Sequence, residues 1–330
     1  MPRVLITGAT GFIGCRLSEL WQSMGRSVRG IGMVRNDVET KRADALRQAG
    51  VELIVGDLAD KSDTKEVLAD VDTVIHLAAA QHEANVGEDY FHKVDVDATK
   101  DLLTQCEKHD VKRFFYASSI GVYGVSDHGE ISENTPLRPD NRYGRSKVAA
   151  EAMLSQYEGD IALYIGRIGE TYGPWDMRLH KLYAGIKKGR FWLVGSGDNF
   201  HQPIYVDDLA AAIEIMLGST EAIGKPVNLC GDRAITTRDM CNGIAASLGA
   251  NLYRLRIPML PLLVTAVGME MTLGKVGIQP PLHRRRLDFF RKSLRFNTQL
   301  RDGLLELPAQ VSFDDGARET VKWYLENHWL

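Results

Sequence analysis

The sequence predicts an α/β fold, a doubly wound parallel sheet with a smaller, interleaved C-terminal substrate-binding region. Three observations lead there. Apolar runs recur at 3–7, 27–32, 52–55, 72–77 and 112–118, separated by segments of helical periodicity such as Thr99 to Lys108. The first run enters Gly8-Ala9-Thr10-Gly11-Phe12-Ile13-Gly14, a GxxGxxG spacing followed by an amphipathic stretch with Leu17, Leu20 and Trp21. Two later runs, Ile161 to Arg167 and Pro226 to Cys230, extend the series. Strands alternating with helices in this way form βαβ units, whose parallel strands require right-handed crossovers.

Each element follows from its residues. After the first strand, glycines let the backbone turn tightly and approach a pyrophosphate, and the next helix aims its unpaired N–H groups and positive dipole end at that anion. The second strand ends at Gly32, where an acidic residue would bind the hydroxyls of an adenosine ribose; none stands there, and Arg35 follows. The third strand leads to Gly56-Asp57-Leu58 and the fourth to His76-Leu77-Ala78-Ala79. The fifth, Phe114-Phe115-Tyr116-Ala117-Ser118-Ser119, closes on two hydroxyls. Ligands on such a sheet sit beyond the carboxyl ends of the strands, the edge that holds Gly8, Asp57, Ala78 and Ser119. Further on, Tyr143 and Lys147 stand four residues apart, on one face of a helix. The sheet domain spans 1–167 and 206–231, and the substrate region 168–205 and 232–330. The two interleave, so no linker separates them.

Composition is that of an ordinary globular protein, with 44% hydrophobic and 25% charged residues. A formal net charge of −3 gives no reason to expect nucleic acid as a partner. Cys15, Cys106, Cys230 and Cys241 have neither metal-site nor disulfide spacing, which implies free thiols, no metal and a reducing compartment. The N-terminus enters a strand directly, so a cytoplasmic location is expected. The apolar run 257–269, which contains Pro261, is too short to span a bilayer. It reads as a buried helix or cavity wall, with a surface for membrane or a lipophilic substrate as the alternative. Arg284-Arg285-Arg286 follows it, a solvated face or a phosphate site.

The glycine loop, the Ser118-Ser119 strand end and Tyr143-Gly144-Arg145-Ser146-Lys147 together resemble the extended short-chain dehydrogenase/reductase family. That family includes sugar-nucleotide epimerases and dehydratases and 3β-hydroxysteroid-dehydrogenase-like and dihydroflavonol-reductase-like enzymes. Tyr172-Gly173-Pro174 and Val206-Asp207-Asp208-Leu209-Ala210 add to the match, which covers the whole chain. The resemblance implies a Rossmann-type fold that binds NAD or NADP, with Tyr143 as general acid–base, Lys147 as its cationic partner and Ser119 on the substrate oxygen. A free tyrosine ionises near pH 10, so one that moves protons at neutral pH needs a cation beside it. The cofactor would meet Gly8, Gly11, Phe12, Ile13, Gly14, Asp57, Leu58, Leu77, Ala78, Ala79, Ala117, Tyr143, Lys147 and Ile168. Arg35 resembles the arginine of NADP-preferring members, because guanidinium pairs with a 2′-phosphate. The substrate would meet Ser118, Ser119, Gln81, Glu170 and His201.

The expected reaction is hydride transfer between nicotinamide and a secondary alcohol or ketone. A sugar-nucleotide 4-epimerase is the alternative, and a non-catalytic NAD(P)-binding protein a second. Four departures bear on that choice. Asp95 replaces the family's asparagine in the Asn-Val-x-Gly-Thr segment. Glu170 stands where sugar-nucleotide members place an asparagine that meets the diphosphate, and His201 lies in the segment where they often carry an arginine. Ile120-Gly121 follows Ser119, where dehydratases place an acid pair. By the same resemblance the chain pairs into a homodimer through Ala98–Lys108 and Tyr143–Gln156, with Val148, Ala149, Ala152 and Met153 at the helix contact.

Overall fold

In the computed structural model, the seven expected strands form one parallel sheet. They are β1 (Arg3–Thr7), β2 (Ser27–Gly32), β3 (Glu52–Val55), β4 (Val71–His76), β5 (Arg113–Ser119), β6 (Ala162–Ile168) and β10 (Pro226–Leu229). The spatial order is β10-β6-β5-β4-β1-β2-β3, so the order in which strands are added reverses between β1 and β4. A crevice opens at such a switch point, beyond the strand ends. The structure describes residues 3–57, 67–80, 86–124, 129–252, 256–272, 282 and 287–330; Leu58, Gln81 and Arg284 to Arg286 lie outside them.

Alternation along β1 shows how the sheet is buried on both faces. Val4 and Ile6 pack on one side with Trp21, Leu209 and Ile213. Leu5 packs on the other with Leu102, Leu103 and Ala150. The first side is covered by α1 (Phe12–Ser23), α2 (Asp37–Gln48) and the helix Val206–Gly218, and the second by the helices Ala98–Lys108 and Arg142–Leu154. The four cysteines are free and buried, and burial pushes the Cys106 and Cys241 thiols up to about 12.

A further apolar centre lies outside the sheet, where Tyr183, Ile244, Val321 and Tyr324 join the helices Met177–Lys187, Thr237–Ser247 and Phe313–Glu326. Short strand pairs lie within the segments 168–205 and 232–330. β7 (Thr171–Tyr172) pairs in parallel with β9 (Ile204–Tyr205), and β8 (Phe200–His201) pairs antiparallel with β11 (Ile235–Thr236).

The 257–269 run departs from its main expectation. It forms the helix Met259–Thr272, but Ala266 is its one buried residue. Only one of its side chains, Glu270, is charged, so the face left outside is apolar. No helix among the described residues is long and apolar enough to cross a membrane.

Candidate active site

A cleft of about 890 Å³ follows the switch point. At one end lies the glycine loop. Gly8 has φ +67°, and a Cβ at Gly14 would stand 2.2 Å from the Gly8 carbonyl oxygen. Gly11 caps α1 without any side-chain hydrogen bond, so the first-turn N–H groups stay available to an anion. These features fit a dinucleotide pyrophosphate. Gly14→Ala should force the loop apart at about 1–3 kcal/mol, up to roughly 100-fold in dinucleotide affinity. Unchanged cofactor titrations would refute the assignment.

A hydrogen-bond chain holds the neighbouring wall. Thr99 donates its hydroxyl to the Asp95 carbonyl (2.7 Å), so its oxygen accepts from His76 Nε2 (2.9 Å). His76 Nδ1 then accepts from Thr7 Oγ1 (2.8 Å), which itself accepts the Ala78 N–H (3.1 Å). His76 is therefore a neutral imidazole. Burial, with the Lys147 charge adding to it, lowers its pKa to about 3. Asp95 sits on a π-helical turn, Lys93–Asp97. Its carboxylate accepts from the Ala80 N–H (2.9 Å) and the Ser146 hydroxyl (2.5 Å), fixing the Leu77–Ala80 wall against the helix that carries Tyr143.

At the other end Ser119, Tyr143 and Lys147 all line the cleft. The helix Arg142–Leu154 starts there because the Asn141 side chain accepts the Gly144 N–H. Gly144 is required, since a Cβ would stand 2.5 Å from the Gly121 carbonyl oxygen. Lys147 is fully buried, and its ammonium donates to the Ala117 carbonyl (2.9 Å) and the Tyr116 hydroxyl (3.2 Å). It lies 5.6 Å from the centre of the Tyr143 ring. Burial opposes its charge, but Tyr116, Tyr143 and Asp95 together hold its pKa above the ordinary value.

The two serines separate cleanly. The Ser119 side chain caps a 3-10 turn at the cleft, accepting the Gly121 N–H (3.1 Å). Ser118 also lines the cleft, but its hydroxyl donates to buried Glu151. Glu151 also takes Arg167 in a buried ion pair at 2.7 Å. Arg167 continues to the Tyr123 hydroxyl, which donates to Asn228. Sequence reasoning missed this network. The signal was there, because Glu151 stands four residues after Lys147 on the same helix face.

Glu170 lines the cleft, whereas His201 lies behind it. They form a pair, His201 Nδ1 to Glu170 Oε2 at 2.9 Å. On the other side, His201 Nε2 is 3.0 Å from both Thr237 Oγ1 and the Phe289 carbonyl. Thr237 spends its proton on Asn199 Oδ1, and Asn199 Nδ2 donates to the Phe289 and Lys292 carbonyls. Nδ1 faces the Glu170 carboxylate, and Nε2 lies near two oxygens and, at 3.3 Å, Asn199 Nδ2, so the Glu170 side is what favours an imidazolium. Burial works against that charge, but the bond and charge of Glu170 and the Phe289 carbonyl raise the His201 pKa.

A raised folded-state pKa gives stability that is fully present below about 6.5 and lost as pH climbs through the raised value. The Tm difference between wild type and His201→Gln should therefore be largest in mild acid and shrink on the alkaline side. A pH-independent difference would contradict the imidazolium.

The remaining cofactor candidates Phe12, Ile13, Asp57, Leu77, Ala78, Ala79, Ala117 and Ile168 line the same cleft, as does Arg35. The Arg35 guanidinium lies 3.9 Å from Glu39, whose carboxylate also accepts the Arg35 backbone N–H (2.6 Å). No cluster of metal ligands occurs among the described residues.

Known proteins bear on this geometry. Residues 4–230 match the model of the NAD dependent epimerase/dehydratase family. An uncharacterised UDP-glucose epimerase of Bacillus subtilis is 30% identical over 252 residues, 69% of this chain and 77% of the relative. The N-acetyl-α-D-glucosaminyl-diphospho-ditrans,octacis-undecaprenol 4-epimerase of Escherichia coli O157:H7 is 28% identical, covering 77% and 75%. Among solved structures, the UDP-glucuronic acid 4-epimerase of Bacillus cereus superposes with a TM-score of 0.79 at 22% identity, over 98% of this chain and 99% of that one. That likeness shows the fold. The family match covers most of the chain, including the seven-stranded sheet from Val4 on, the glycine loop and the Tyr143–Lys147 pair. The chain is therefore an enzyme of the NAD-dependent epimerase/dehydratase family, within the extended short-chain dehydrogenases/reductases.

Proposed function

We propose that this enzyme is a 4-epimerase of sugars carried on a diphosphate. The observation that carries this reading is the convergence of Ser119, Tyr143 and Lys147 on one cleft with the glycine loop. Relatives named as UDP-sugar and lipid-diphosphate-sugar epimerases support it over simple alcohol oxidation. Ile120-Gly121 after Ser119 lacks the acid pair of a dehydratase. Bound nicotinamide supplies hydride acceptance and return. Tyr143 holds the proton of the sugar hydroxyl, and Ser119 hydrogen-bonds the same oxygen. Two N–H groups of Lys147 anchor it to β5, and its third serves the nicotinamide ribose.

The cofactor in this reading is NAD. Arg35 favours NADP, but the Glu39 carboxylate, 3.9 Å from that guanidinium, would repel a 2′-phosphate. The NAD-bound fold neighbours agree. Titration of both oxidised cofactors should favour NAD, and Glu39→Gln should narrow the preference by roughly tenfold, about 1.4 kcal/mol. Tighter NADP binding to wild type would reverse the choice. The homodimer remains part of the proposal: Ala152 is exposed, and Val148, Ala149 and Met153 are partly exposed.

A second reading is redox of a less charged secondary alcohol, favoured by the Glu170 carboxylate in the cleft. Proton NMR of UDP-, GDP- and dTDP-sugars incubated with trace NAD distinguishes the two. The 4-epimerase gives an epimer mixture and no net reduced nicotinamide. Stoichiometric reduced nicotinamide from simple alcohols, with the sugars untouched, supports the second.

A further inference from the structure

We propose that the helix Met259–Thr272 docks this enzyme on an anionic lipid surface. The inference goes beyond the substrate reading and does not depend on it. The helix leaves Leu260, Val264 and Met271 exposed at 70%, 66% and 62%. With Gly268 these positions recur every three or four residues, so they form one stripe along a single face. Its N-terminal side is pinned by a bridge between Ile257 and Val194. That bridge brings in a second segment, Lys187-Lys188-Gly189-Arg190-Phe191-Trp192. There Trp192 is 42% exposed, and Lys187, Lys188, Arg190 and Arg256 are all exposed.

Charge identifies the occupant. Residues 251–300 carry nine Lys and Arg against two Asp and Glu, whereas the rest of the chain carries 31 against 41. An apolar helix face with an exposed tryptophan and flanking basic residues suits an anionic bilayer interface. A second copy suits it less, because a two-fold pairing through this face would bring like charges together. At 14 residues the helix is about 21 Å long, short of the ~30 Å hydrocarbon core, so it lies in the interface and does not span.

Flotation with phosphatidylcholine vesicles, with and without phosphatidylglycerol, tests this on the full chain. Wild type should float with phosphatidylglycerol vesicles at low salt and much less at about 1 M, where the Debye length is ~3 Å. Leu260→Ser/Val264→Ser should reduce the bound fraction about tenfold or more. Lys187→Glu/Lys188→Glu should remove the dependence on phosphatidylglycerol. All four residues are exposed, so melting curves should match wild type. Failure of wild type to float at low salt would overturn the proposal. So would binding indifferent to both variants, or a vesicle-free oligomer that the serine variant dissociates, which would make this face a contact between copies.

Discussion

Tyr143→Phe is expected to lower turnover by roughly 10²–10⁴, the usual cost of losing a general acid–base group. The ring stays in place, so the packing around Lys147 and the hydrogen bonds of Lys147 to Ala117 and Tyr116 are retained. Cofactor titration should therefore be nearly unchanged while the rate collapses. Lys147→Ala should behave differently. It removes the charge beside the phenol and also the buried ammonium that two β5 oxygens hold, so both rate and cofactor affinity should fall. Rapid turnover by Tyr143→Phe would remove tyrosine from the chemistry.

The second large effect is on stability. Arg167 and Glu151 are both buried, and their pair also satisfies Ser118, Tyr123 and the Glu133 carbonyl. Burial opposes the guanidinium charge, but the Glu151 hydrogen bond and charge raise the Arg167 pKa. Arg167→Met leaves Glu151 as an uncompensated buried carboxylate, at about 3–5 kcal/mol. Urea denaturation should show that loss. A loss under about 1 kcal/mol would mean that water reaches Glu151. The network lies directly beneath the Ser118-Ser119 strand end, and Glu151→Gln strands the buried Arg167 guanidinium in turn, so it should also cost several kcal/mol (about 3–5 for a broken buried pair), although the amide oxygen still accepts from Ser118.

The sheet was legible because each strand is a short apolar run bounded by turn residues. Seven runs became seven strands, with boundaries within one residue. The glycine loop and the Tyr143–Lys147 spacing were legible because they are local: backbone approach in one, a helical turn in the other. What stayed hidden depends on distant partners. Glu170 and His201 stand where sugar-nucleotide members carry an asparagine and an arginine, and their pairing emerges only when segments 31 residues apart fold together. The choice between Ser118 and Ser119 rests on Glu151, 33 residues on. The reading of Arg35 likewise depends on its i,i+4 neighbour Glu39, whose carboxylate lies 3.9 Å from the guanidinium. The 257–269 run has the hydropathy of a core helix, and composition alone does not say which of its faces finds a partner.

In the proposed epimerisation, Ser119, Tyr143 and Lys147 serve a hydride that leaves a sugar carbon and returns to it. A sugar nucleotide carrying deuterium at C4, incubated with enzyme and trace NAD in ordinary water, tests it most directly. Mass spectrometry of the 4-epimer should show the label retained, because hydride transfer to and from a bound nicotinamide does not exchange with solvent. An epimer formed with the deuterium replaced by hydrogen would contradict the account and assign a proton-abstraction mechanism instead.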